Sequence, residues 1–207
     1  MEYPMATLIN GAGPDNWVHE LLHNWYYGVL ATNESLYPWM DEGFASYAAT
    51  CVMEYLKSKG LISGTPSEFP FNDTNNRYKQ LTLQGYEEPL STHADHYEYN
   101  SAYGLSAYTK GAVFLNQLEY VMGKTAFNKG LLDFFNTWKF KHPDANDLIR
   151  VMEKASGLEL DWYKEYMVYS IKTIDYSIDT IYSNGSETSV RLSGIGLMPM
   201  PVDITVY

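Results

Sequence analysis

Residues 14–28 read PDNWVHELLHNWYYG, and the spacing inside this stretch decides how the rest of the chain is read. It contains His19-Glu20-Leu21-Leu22-His23, an HExxH pattern. Residues four apart share one face of a helix, so two imidazoles can approach a single metal ion while Glu20 projects beside it. The cluster Gly11-Ala12-Gly13-Pro14 forces a turn before this run, Asp15 or Asn16 supplies the helix cap, and Gly28 breaks the helix.

A zinc ion in a hydrolase takes three protein ligands and keeps one position open for water, so two histidines require a partner. Glu42, in WMDEGFASY, is the candidate. Eighteen residues separate it from His23, enough to finish the first helix, form a loop and return on a neighbouring helix. Pro38 suits the first turn of that second helix, which runs to a stop at Gly60.

Further along, residues 61–72 form a loop and a shorter helix covers about 73–84. GYEEPLSTHADHYEYN has no clear period and reads as an ordered loop. YGLSAYTKGAVFLNQLEYVMG regains helical spacing, and three more helices follow over Thr125–Phe140, Pro143–Ala155 and Asp161–Ile171. From about Ile174 the period changes to two. YSIDTIY, ETSVRLSG and PVDITVY read as three strands, the first two joined at the Asn184-Gly185 turn. Upstream of the metal motif, MEYPMATLI is rich in β-formers and reads as one strand. A chain that opens inside such a run, and whose three last strands are too few for a stable domain, is expected to be a piece of something longer.

With 207 residues, 45% of them hydrophobic, the chain can bury a sizeable core in one main domain with a small appendage. Its net charge of -11 argues against the basic footprint of nucleic-acid binding and against attraction to anionic membranes, and is compatible with small peptides bearing a free amine. No window approaches the ~18 uninterrupted apolar residues of a membrane span, and no targeting signal is present in this segment. The single cysteine, Cys51, cannot form an internal disulfide and is expected to be a small buried core residue.

HELLHNWYYG, then WMDEGFASY, then AYTKGAVFL together resemble the gluzincin metallopeptidases of the aminopeptidase N type, which include leukotriene hydrolase. Order and spacing match over roughly residues 1–172. The resemblance implies a mainly α fold: a thermolysin-like catalytic domain over 1–172, a helical lobe with an N-terminal strand remnant, followed over 173–207 by the start of a small β-sandwich-like domain. It implies one zinc ion on His19, His23 and Glu42, with Glu20 as general base. It places an oxyanion-stabilising tyrosine on Tyr108, in YTKG; a phenol can hydrogen-bond developing negative charge without ionising. The family's Gly-x-Met-Glu-Asn strand, whose glutamate grips the substrate's α-amine, corresponds to Met1-Glu2-Tyr3, which makes Glu2 the amine anchor, although Tyr3 stands where the family has asparagine. The implied activity is removal of N-terminal residues from peptides with a free N-terminus. A thermolysin-like endopeptidase, or a catalytically weak scaffold that keeps the zinc site, are the alternatives. The remaining domains of the parent protein are implied partners, and without them this segment is expected to turn over poorly.

Five other positions carry tempting chemistry. His93 and His96, in THADH, lack nearby further ligands and read as ordinary polar loop residues. Tyr103 is expected to line the cleft beside Tyr108. Glu34 reads as solvated, because Glu42 has the spacing of a ligand. Asp41 can orient either the neighbouring glutamate or a ligand histidine.

Overall fold

Pro38 pre-sets the backbone of the first turn of a 21-residue helix, Pro38–Ser58, around which the helical part of the protein is organised. Every residue from Pro38 to Ala45 is buried, so this end of the helix runs through the core rather than along it. The computed structural model describes residues 2–3 and 6–205, Glu2 by its backbone alone. Two compact units result, Met1–Ser170 and Ile171–Tyr207.

In chain order the first unit contains β1 (Glu2–Tyr3), β2 (Ala6–Thr7), α1 (Pro14–Leu22), α2 (Pro38–Ser58), α3 (Asn72–Gln84), α4 (Asn100–Tyr103), α5 (Gly111–Met122), α6 (Lys124–Trp138), α7 (Ala145–Ser156) and α8 (Asp161–Tyr169). A π-helical turn over Asn24–Val29 follows α1, and a second π-helical segment, Gly104–Lys110, joins α4 to α5. The core is aromatic. The rings of Trp39 and Phe114 meet edge to face at 4.7 Å, Phe44 packs on Trp39 and Phe134, and the buried Tyr163 donates its hydroxyl to the carbonyl of Phe114 at 2.7 Å. A reciprocal box between Asp144 and Asp147 caps the start of α7.

The helices fall where the periodicity puts them, with four local differences. Gly13, not Asp15 or Asn16, is the N-cap of α1, with Pro14 at the first helical position, where its missing N–H costs nothing. The helix expected to reach Gly28 ends at Leu22, and the winding beyond it is interrupted at Tyr26 and Tyr27, the latter at φ 109°. The MEYPMATLI run is two short strands rather than one, paired antiparallel with Glu2 opposite Thr7; a run interrupted by proline cannot donate a continuous ladder. Cys51 is exposed, because the part of α2 beyond Ala49 emerges from the core.

The second unit is a hairpin of β3 (Tyr176–Ser183) and β4 (Thr188–Gly194), turning at Asn184-Gly185 with Gly185 at φ 89°. Residues 201–205 form no strand, and the last two residues of the expected third strand lie outside the described residues. Pro199 and Pro201 withhold the amide donors that a ladder there would need. No helix among the described residues is long and apolar enough to cross a membrane.

Candidate metal centre

α1 packs against α2, and His19, His23 and Glu42 turn toward one point between them. His19 Nε2 lies 3.1 Å from Glu42 Oε2 and 3.1 Å from His23 Nε2, and His23 Nε2 lies 3.4 Å from Glu42 Oε2. A tetrahedral zinc ion with ligand bonds of 2.0–2.1 Å requires its donors to stand about 3.3 Å apart. The three atoms therefore form one face of such a tetrahedron, and the residues present fit a zinc ion. Among the described residues the other group of donors close enough to share an ion is Glu153, Glu159 and Asp161. That group contains only carboxylates, and Asp161 is already paired with Lys164 at 2.9 Å.

The tautomer of His23 follows from its second partner. Its Nδ1 lies 2.5 Å from Oδ1 of Asp41, which can only accept, so Nδ1 carries a proton and Nε2 is the nitrogen that, once deprotonated, offers its lone pair to the centre. Asp41 thus orients His23, one of the two partners its position in the sequence allows, while Glu42 on the next residue turns its carboxylate to the centre. Both carboxylates and His23 are buried. Burial works against charge on His23, yet hydrogen bonding and charge from Asp41 and Glu42 more than reverse this and raise its pKa from 6.5 to about 10. Burial likewise works against ionising Glu42, and hydrogen bonds from His19, His23 and Tyr108 hold it down to about 2. Two buried carboxylates around two imidazoles make a pocket that favours a cation.

Tyr108 reaches the centre from the π-helical segment. Its hydroxyl donates to Glu42 Oε1, and its ring stacks on that of His19 with centroids 5.7 Å apart and planes 13° from parallel. Tyr103 meets Tyr108 edge to face at 6.1 Å. Glu20, one residue beyond His19, is half-buried and lines a cleft of about 780 Å³ together with Tyr3, His23, Trp25, Tyr27 and Phe140. The side chain of Glu2 lies outside the described residues. His93 and His96 stack on each other with centroids 4.8 Å apart, and His93 Nδ1 accepts from the amide of Asp95, capping a short 3₁₀ turn.

Two features close to Glu42 and Tyr108 in the chain were not singled out in the sequence. Gly43 and Gly111 touch where α2 crosses α5: a Cβ on Gly43 would lie 2.7 Å from the Cα of Gly111, and one on Gly111 would lie 2.8 Å from the Cα of Gly43. Only glycine at both positions lets the backbones approach this closely. Each glycine directly follows a key segment, DEG in one helix and TKG in the other, and that shared context is the signal that could have exposed the crossing. The second feature is the buried ion pair of Lys110 with Glu87, at 2.7 Å.

The chain is 24% identical over 198 residues to aminopeptidase M1-C of Oryza sativa subsp. japonica, covering 90% of this chain and 21% of that protein. It is 31% identical over 153 residues to aminopeptidase N of Streptomyces lividans, covering 72% of this chain and 18% of that protein. The chain thus spans about a fifth of the length of the curated relatives it matches. Among solved structures, an M1 zinc metallopeptidase of Deinococcus radiodurans, a mutant bound to a Tyr-Ser-Ala substrate, superimposes with a TM-score of 0.59 at 22% identity, covering 75% of this chain and 33% of that one, a likeness of fold. The profile of the Peptidase family M1 domain matches residues 16–167, from the start of α1 into α8, and the chain therefore belongs to peptidase family M1.

Proposed function

We propose that this chain is the catalytic portion of a zinc-dependent aminopeptidase, with the catalytic domain over residues 1–172 and the start of a β-sandwich-like domain over 173–207. The observation that carries the reading is the face of donor atoms made by His19, His23 and Glu42, with the Tyr108 hydroxyl at the same carboxylate. The family, and relatives named as aminopeptidases, support the substrate class, a peptide with a free N-terminus.

His19, His23 and Glu42 would hold a zinc ion, which would supply a Lewis acid able to polarise a carbonyl and acidify water. Glu20 accepts the proton of the attacking water and passes it to the leaving amine, a role that needs a carboxylate beside the metal ligands but not among them. Tyr108 turns its O–H from Glu42 to the carbonyl oxygen as negative charge develops there. Asp41 keeps His23 in the tautomer that offers Nε2 to the metal. Glu2 binds the substrate's ammonium group and so limits cleavage to the first peptide bond; this role rests on the family resemblance of Met1-Glu2-Tyr3.

The test is hydrolysis of amino-acid arylamides by the zinc-loaded protein. Activity is expected to vanish with a chelator and to fall by about 10²–10⁴-fold in Glu20→Gln while zinc stays bound. Undiminished turnover in either case refutes the assignment. Equal cleavage of N-acetylated and free peptides would make the protein an endopeptidase instead.

A further inference from the structure

Lys110 is the most deeply buried cation among the described residues, with 1% of its surface exposed, and it closes the π-helical segment two residues after Tyr108. Its ammonium lies 2.7 Å from Glu87 Oε1 and donates to the carbonyl of Ser170 at 3.0 Å, just beyond the end of α8. Glu87 in turn accepts from the hydroxyls of Tyr78 at 3.0 Å and Thr82 at 3.3 Å, both on α3. One side chain thus ties the Tyr108 segment to two other parts of the helical unit.

A buried ion pair of this kind is poor value as stabilisation. Desolvation cancels most of the attraction, and well-packed apolar residues of the same volume serve the fold equally well. What the pair adds is a directional constraint. The segment it terminates needs one, because π-helical winding is rare and is held only where surrounding contacts enforce it. Tyr108 lies inside that winding, so relaxation of Gly104–Lys110 to ordinary α-helix would rotate the phenol away from Glu42. The contact of Gly111 with Gly43 fixes how closely the two helices approach, but a glycine crossing has no side chain to resist rotation.

We propose that the buried Lys110–Glu87 pair is a positioning device for Tyr108, holding the register of the π-helical segment so that the phenol hydroxyl faces the oxyanion. Lys110 and Glu87 act through Tyr108 and touch neither substrate nor metal. The proposal rests on the reading of Tyr108 as the oxyanion donor.

The test replaces the pair as a unit, Lys110→Met with Glu87→Leu, so that no lone charge is left buried. Zinc affinity, kcat and KM on an amino-acid arylamide, and affinity for a phosphinic dipeptide mimic are measured in this variant, in Tyr108→Phe and in the triple variant. The phosphinic mimic presents a tetrahedral anionic oxygen to the Tyr108 position; a free amino acid, which does not, is the control ligand. Losing an oxyanion donor costs about 10²–10³-fold in kcat, so the paired variant is expected to lose ~10–100-fold in kcat with KM and zinc affinity unchanged. It is expected to bind the phosphinic mimic correspondingly less tightly and the free amino acid as before. Adding Tyr108→Phe should then cost little more, because the phenol has already lost its position. Full kcat and full phosphinic affinity in the paired variant, with Tyr108→Phe impaired, overturn the proposal and leave the reading of Tyr108 intact. If Tyr108→Phe is itself unimpaired, that reading fails and the proposal fails with it. A paired variant that unfolds or loses zinc shows a merely structural pair and also overturns it.

Discussion

The two helices that meet at the candidate metal centre are built to opposite plans. α2 is long and enters the core at once, so Asp41, Glu42 and Gly43 lie in an unbroken buried run from Pro38 to Ala45. α1 has nine residues, none of them buried, and both Trp17 and Leu21 are about half exposed. Glu42 is therefore placed by core packing and His19, on the exposed helix, by what it touches, the Tyr108 ring and Glu42, while His23, buried just past the end of α1, is held by Asp41. One half of the site is preorganised by the fold and the other half is recruited to it. Metal binding and the ordering of α1 should accordingly be one process.

Four experiments can break or sharpen this contrast. The largest effect is expected from Glu42→Ala. The ~10–16 kcal/mol of a structural zinc site, shared among four ligands, is ~2.5–4 kcal/mol per donor, so zinc should bind ~100–1,000-fold more weakly. Competition with a chromogenic chelator measures this, and a loss under tenfold would mean that Glu42 is no ligand. Asp41→Ala should come next, weakening zinc by ~10–100-fold. Hydrogen exchange in the same variant should speed up across residues 14–22 and remain slow across 38–47; uniform acceleration would show that α1 and α2 stand or fall together.

Gly111→Ala attacks the preorganised half instead. A methyl group forced against the Gly43 backbone is expected to cost about 1–3 kcal/mol in denaturant unfolding and to lower turnover by displacing Tyr108, with zinc affinity nearly unchanged. An alanine variant as stable as the parent would mean that the helices separate freely and that the crossing sets nothing.

The smallest effect concerns protons. In the metal-free chain the pKa of His23 is raised from 6.5 to about 10, so its contribution to stability is complete below pH 6.5 and is lost as pH rises through 10. Glu42 is lowered from 4.5 to about 2, so its contribution is complete above pH 4.5 and is lost as pH falls through 2. Metal-free stability from these two groups should thus be greatest between about pH 4.5 and 6.5. At pH 7 zinc must expel the His23 proton, releasing about one proton per ion, and apparent affinity should rise about tenfold per pH unit from 7 to 9. Calorimetry in two buffers of different ionisation heat counts the protons, and a count of zero would show that His23 is already neutral at pH 7 and that its pKa is not raised.

The sequence by itself determined what depends on neighbours within a few positions. The i, i+4 spacing of His19 and His23 sets both imidazoles on one helical face whatever surrounds them, and apolar periods of three and four place α2 and the later helices to within a few residues. Asn184-Gly185 marks the hairpin because a tight turn needs a backbone that tolerates positive φ, and Gly185 has it. The simple periodic reading failed at the breaks of regular α-helix at Tyr26 and over Gly104–Lys110, at Cys51, where α2 leaves the core, and over residues 201–205, where prolines withhold the donors of a third strand. Only the tertiary structure decided that Asp41 holds His23, that one of nineteen tyrosines stacks on His19, and that Lys110 is tied to Glu87 and Ser170. These partners stand from 18 to 89 positions apart in the chain. At such separations no periodicity links two residues, and what brings them together is the close crossing of α2 and α5 at two glycines and the core packed around it.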